Sequence, residues 1–238
     1  MKFLNYLRTV IVCGLCFCSS IEARADLNIG TPSGLSIGDQ FRIVFLTQSV
    51  TNANSGDIGY YNTFVNNDAV NQAGGIGNNV IYAGTVLTWS AIASTYDTSA
   101  IANIGSFGVP VYLASGTIVS PSDTQTGLWS GSLQAPINEF LTAPFFFDTS
   151  VWTGTLPNGS SAGSFTLGSG SEFGSIPGLS NKSDQEWVET GATPSSFNSN
   201  MYGISQVLTA VPEPSTSVMV LAGIAFGGYM VWRQRKRG

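Results

Sequence analysis

Three carboxylates, Asp184, Glu186 and Glu189, flank Trp187. Carboxylate oxygens suit a hard cation such as calcium, and an indole face suits a sugar ring. These four residues are therefore the candidate ligand-binding set. The alternative is a solvated acidic loop with Trp187 as its core anchor, because no EF-hand or glycine-spaced aspartate pattern accompanies them. The chain contains no histidine. That excludes Ser-His-Asp and Cys-His catalysis, imidazole metal sites and histidine pH switches. Its three cysteines, Cys13, Cys16 and Cys18, lie together near the N-terminus. Only carboxylates remain for catalysis, and a glycosidase pair must stand about 5–10 Å apart across a cleft. Nothing in the spacing singles out such a pair. No catalytic residue and no metal ligand is assigned, and the expected class is a non-enzyme without cofactor, calcium being the one ion left to consider.

The elements that would carry these residues read as strands and long loops. Residues 26–210 are rich in Gly, Ser, Thr and Asn, with aromatic and β-branched residues between them. The clearest strand is Phe41–Leu46, after an Ile37-Gly38-Asp39 turn. Apolar residues at Ile58, Tyr61, Phe64, Val65, Ala69 and Ala73 have helical spacing, with Ser55 or Asp57 as the cap. Val86–Ser90 reads as another strand or a segment entering a core, and Val109–Leu113 as a strand starting near Pro110. Phe145–Phe147 and Val151–Trp152 lie on either side of a short turn. Trp129 and Trp152 sit in W-x-G contexts and are read as core residues that support loops. The long Gly/Ser-rich loop 154–180 is either a ligand-binding loop or an inert insertion. Gly74-Gly75-Ile76-Gly77 has neither the lysine nor the flanking elements of a phosphate loop and is read as a turn.

Charge narrows the partners. Only 10% of the chain is charged, against about 25% for an average soluble protein. Residues 26–210 hold twelve acids and two bases, Arg42 and Lys182. Such a surface repels nucleic acid and anionic polymers. It favours neutral exopolysaccharide or envelope glycan, cations or basic protein patches.

Both ends read as targeting segments. Lys2 and Arg8 precede an apolar run from Val10 to Phe17, and Ala23-Arg24-Ala25 fits cleavage by signal peptidase. Residues 1–25 are thus a signal peptide, and the mature chain starts at Asp26 without cysteine. At the other end, Pro212-Glu213-Pro214 leads into an apolar stretch, Thr216–Trp232, followed by Arg233, Arg235, Lys236 and Arg237. Seventeen residues make a helix of about 25 Å, near the lower limit for crossing a bilayer. The basic cluster keeps the end cytoplasmic. The expected plan is a signal peptide (1–25), an ectodomain (26–210) and a tail (211–238) with a transmembrane helix at 216–232 and a basic end at 233–237.

This three-part tail resembles the PEP-CTERM sorting signal of Gram-negative bacteria. The resemblance implies an exosortase as processing partner, with Pro212, Glu213 and Pro214 and the basic residues as the signal. It also implies an inner-membrane intermediate and a destination at the cell surface or in the extracellular matrix. A permanent single-pass anchor is the alternative.

Within the ectodomain, Val109-Pro110-Val111-Tyr112, Val119-Ser120-Pro121, Leu128-Trp129-Ser130-Gly131, Phe145–Asp148, Val151-Trp152-Thr153-Gly154 and Pro157-Asn158-Gly159 follow in an order similar to the endostatin domain of collagens. Trp187 matches a later tryptophan of that family. The resemblance implies one α+β, C-type lectin-like domain with long loops. The family's disulfides, zinc site and heparin-binding arginines have no counterparts in this chain, so those functions do not carry over. The expected role is a non-catalytic glycan- or matrix-binding module, the alternative a structural envelope component.

Overall fold

A run such as Phe41–Leu46, apolar at both odd and even positions, must be covered on both faces. The computed structural model, which describes residues 26–143 and 148–211, places it at the centre. The chain opens with Leu27–Asn28 (β1) and Gln40–Leu46 (β2), followed by the helix Ile58–Gln72 (α1). Val80–Tyr82 (β3), Thr85–Val86 (β4) and Trp89–Ala91 (β5) lead to a short helix, Ala100–Ile104 (α2). Val111–Leu113 (β6), Ile118–Ser120 (β7), Ser150–Trp152 (β8), Pro177–Leu179 (β9), Tyr202–Ser205 (β10) and Leu208–Thr209 (β11) follow. The architecture is mixed and sheet-rich, with many short strands and few helices, as in an α+β or a mostly β fold.

The main sheet runs β5-β10-β2-β6-β7, with β11 beside the start of β2. β2 and β6 are parallel, and the other pairs of this sheet are antiparallel. Side chains alternate across β2 as a strand requires. Phe41, Ile43 and Phe45 pack with Tyr61, Val65 and Ala69 of α1. Val44 and Leu46 face the opposite cluster, with Trp129, Trp187 and Tyr202. A three-stranded sheet, β1-β3-β4, and the β8–β9 pair stand apart from the main sheet.

The predicted helix is present, and Asp57 is its cap, its carboxylate accepting from Gly59 N at 2.8 Å. The predicted 86–90 strand is broken. Val86 pairs with β3 while Trp89 pairs with β10, and Thr88 turns the chain between the two sheets by donating twice to Gln206 Oε1. Periodicity also misses α2, which is only five residues long; Ser99 caps it, and Ala100 N donates to the Ser94 hydroxyl. β6 begins one residue after Pro110, whose carbonyl accepts from Arg42 N.

Segment 154–180 is neither flat nor loosely attached. Thr153, Thr155, Thr166 and Ser175 are fully buried, and buried hydroxyls need partners. Thr153 donates to Ile176 O, Thr155 pairs with Ser94, and Ser175 donates to Thr166 O. Gly154 adopts φ +60°, and a Cβ there would stand 2.6 Å from Ser94 O. The residues that read as a flexible loop form a hydroxyl-bonded layer. The Phe145–Phe147 segment, the signal peptide and the transmembrane helix lie outside the described residues. Among the described residues no helix is long and apolar enough to cross a membrane.

Candidate functional site

The strand β11 brings the end of the folded chain to the first residues of β2. Leu208 pairs with Phe41 and Thr209 with Gln40. Ala210 N donates to Asp39 O, and Gly38 N donates to Ala210 O. One residue later, Val211 N donates to the Tyr82 hydroxyl at 3.2 Å. That hydroxyl also lies 3.0 Å from Thr31 Oγ1 and 3.3 Å from Thr209 O. The Tyr82 ring is buried, edge-on to Phe41 at 5.4 Å. The other terminus arrives at the same place. Asn79 N donates to the Asp26 carboxylate, and Leu27 lies opposite Val80. Both ends of the described chain therefore leave one face, beside a cavity of about 400 Å³ lined by Asn28, Ile29, Thr31, Tyr82, Gly84 and Val211.

Residues 210–236 match the family profile of the PEP-CTERM protein-sorting motif. The match starts at Ala210, the residue whose backbone pairs with Gly38 and Asp39. The PEP-CTERM segment thus begins where β11 hands the chain on. It indicates an exported surface protein processed by an exosortase. No curated protein matches the chain. Pro212, Glu213, Pro214, Arg233, Arg235, Lys236 and Arg237 lie outside the described residues, as do Ala23 and Ala25.

The Asp184–Glu189 set does not converge on a ligand. Trp187 is fully buried, its ring 5.8 Å from both Trp129 and Tyr202. Of the two readings of Trp187, burial fits the core anchor, and the sugar platform is corrected because the indole has no free face. Asp184 accepts from Glu186 N and caps the short 3-10 turn Gln185–Trp187. Glu186 pairs with Lys182 at 3.1 Å, which raises the Lys182 pKa. Among the described residues no group of three or more acids could hold a metal ion.

Three exposed aromatic residues belong to segments joined at the far end of β2, while Phe107, also exposed, stands over Arg42 near the other end. Thr47 N donates to Met201 O and Thr51 N to Ser199 O, so the strand leads straight into a cluster of loops. Trp152, fully buried, donates its indole N–H to both Thr51 O and Phe197 O. The Tyr60 hydroxyl lies 3.0 Å from Thr51 Oγ1. Ser175, two residues after Phe173, pairs with Thr193, and Phe197 N donates to Pro194 O. These bonds gather Tyr60, Phe173 and Phe197 at one end, 45%, 70% and 58% exposed. Composition marks none of them, because exposure depends on which loop each ring hangs from.

A buried ion pair escaped the sequence reading as well. Arg42 Nη1 lies 3.3 Å from Asp123 Oδ2, and both side chains are buried. Arg42 also donates to Ser205 O and Ile104 O. The second Asp123 oxygen accepts from Phe107 N and Gly108 N. Burial lowers the Arg42 pKa, and the Asp123 carboxylate opposes that shift. The available signal was an arginine inside the apolar strand Phe41–Leu46 of a domain with only two bases. The pair ties β2, β10, α2 and the 105–109 turn together.

Proposed function

We propose that this exported, exosortase-sorted protein carries a non-catalytic module that binds a neutral exopolysaccharide or envelope glycan at the cell surface. The observation that carries the reading is the group of exposed rings, Tyr60, Phe173 and Phe197, at the end of β2 opposite the sorting tail. Exposed apolar groups within a polar surface mark interaction sites, and aromatic faces suit sugar rings. The excess of acids over bases disfavours an anionic polymer and leaves a neutral one. The module needs no cofactor in this reading. We also read the ectodomain as C-type lectin-like, supported by β2 leading into α1, by the mixed sheet and by the buried Trp129 and Trp152.

Calorimetric titration of the mature ectodomain with neutral polysaccharide from the producing cell's envelope tests the glycan. Saturable binding that weakens in a Phe173→Ala/Phe197→Ala variant is expected. Absence of saturable binding would instead favour a structural coat or matrix component. Addition of calcium is expected to leave the isotherm unchanged.

A further inference from the structure

The tail exit has a consequence for processing. Between Val211, held by Tyr82, and the apolar stretch that starts at Thr216, only residues 212–215 intervene. Fully extended, the chain from 211 to 216 reaches about 17 Å. A domain of this size has a radius of gyration of about 16 Å and is roughly 40 Å across. The tether is shorter than the domain it holds. A membrane-embedded enzyme cutting within or beside it must touch the face from which the chain leaves.

That face has a recess and a definite charge. The cavity beside Val211 combines apolar surface from Ile29 and Tyr82 with the polar edges of Asn28 and Thr31. Val211, on its rim, is 38% exposed. Asp26 and Asp39 are its neighbours. Neither ectodomain base serves this surface: Arg42 is buried, and Lys182 pairs with Glu186. Asp26 and Asp39 face one cation, the α-ammonium of the mature chain at Asp26, so the surface stays net negative and offers anionic phospholipid no basic cluster; a protein surface is favoured over the bilayer itself.

We propose that this end face, centred on the Tyr82 cavity, is the docking surface by which the domain seats on the membrane enzyme that removes its tail. The proposal rests on the exosortase reading and adds to it a second recognition element, folded and upstream of the motif. The cavity takes an apolar side chain of the enzyme, and Tyr82 fixes the angle at which the tether enters.

The test uses the full chain in the producing cell. A photoreactive amino acid replaces Asn28 beside the cavity or, as the control, Phe197 at the far end. The expected result is an enzyme-sized adduct of the uncleaved precursor from position 28 and none from position 197. A second variant places twelve Gly/Ser residues between Val211 and Pro212, leaving the fold and the contiguous signal from Pro212 to Arg237 intact. Tail removal is expected to slow several-fold, because the docked face no longer delivers the motif. No adduct from position 28, equal adducts from both positions, or unchanged cleavage with the linker would overturn the docking face. Replacing Pro212, Glu213 and Pro214 by alanine separates the two readings. If that triple variant is processed like the unaltered chain, the sorting reading falls and the docking face falls with it. If it alone stays full-length while the linker variant is cleaved normally, only the docking face is lost.

Discussion

At the Gln40 end of β2 the chain is closed by backbone bonds, with β11 laid alongside the strand and Tyr82 holding Val211. At the Leu46 end the chain opens into loops where scattered backbone bonds such as Thr51 to Ser199 and Ser175 to Thr193 are joined by buried side-chain bonds: Trp152 to Thr51 and Phe197, Thr153 to Ile176, Ser175 to Thr166. One end has a fixed exit for the tail. The other has exposed aromatic rings, one on the first turn of α1 and two on loops that a buried indole and buried hydroxyls keep in place. Backbone pairing tolerates many sequences, since every residue carries the same donor and acceptor. The loop end depends on a few particular side chains and should be the more sensitive to substitution.

Trp152→Ala is expected to have the largest effect on stability, costing about 3–5 kcal/mol through the cavity and the lost indole donor. Urea unfolding measures it, and a loss below about 1 kcal/mol, far under the usual cost of such a truncation, would mean that the hydroxyl network holds the loops alone. The tail end has its own sensitive point. Arg42→Met leaves Asp123 buried without its cation and should cost about 3 kcal/mol, read from the same transition; a neutral result would place the strength of this end in the backbone alone.

Alkaline pH probes the loop end and the core behind it. Tyr61 is bonded through its hydroxyl to the Ser55 backbone, and the Tyr202 hydroxyl donates to Trp187 O. Burial raises the pKa of both well above the ordinary tyrosine value. Above about pH 10 the unfolded chain has lost these protons while the folded chain keeps them, so stability falls as pH rises. The expected slope is about 1.4 kcal/mol per pH unit for each tyrosine. Unfolding midpoints measured between pH 9 and 12 check it, and Tyr61→Phe should lower the slope by about 1.4 kcal/mol per pH unit. The smallest effect is at the exit: Tyr82→Phe removes the hydroxyl shared by Thr31, Thr209 and Val211 and should cost about 1 kcal/mol. Faster amide exchange at Val211, with the rest of the sheet unchanged, would confine that loss to the tail end.

Local pattern determined the elements whose signals lie within a few residues. Phe41–Leu46 is apolar on both faces and is the central strand; the helical run of apolar residues after Ser55 and Asp57 is α1, with Asp57 chosen as its cap in the structure. The PEP-CTERM tail was legible because its three parts are contiguous and need no partner to be recognised. The absence of histidine excluded whole classes of chemistry before any fold was known. Tertiary structure alone decided the rest. Trp187 stands among acids in sequence, yet Trp129 and Tyr202 close over it in space. The Gly/Ser-rich segment looks loose in composition, and its hydroxyls become cross-links only where Ser94, Thr153 and Ile176 come within reach. Arg42 and Asp123 are 81 positions apart. Burial and pairing depend on neighbours distant in sequence. Caps, strand periodicity and sorting motifs depend on neighbours close in sequence, and that difference in range separates what could be read from what had to be folded.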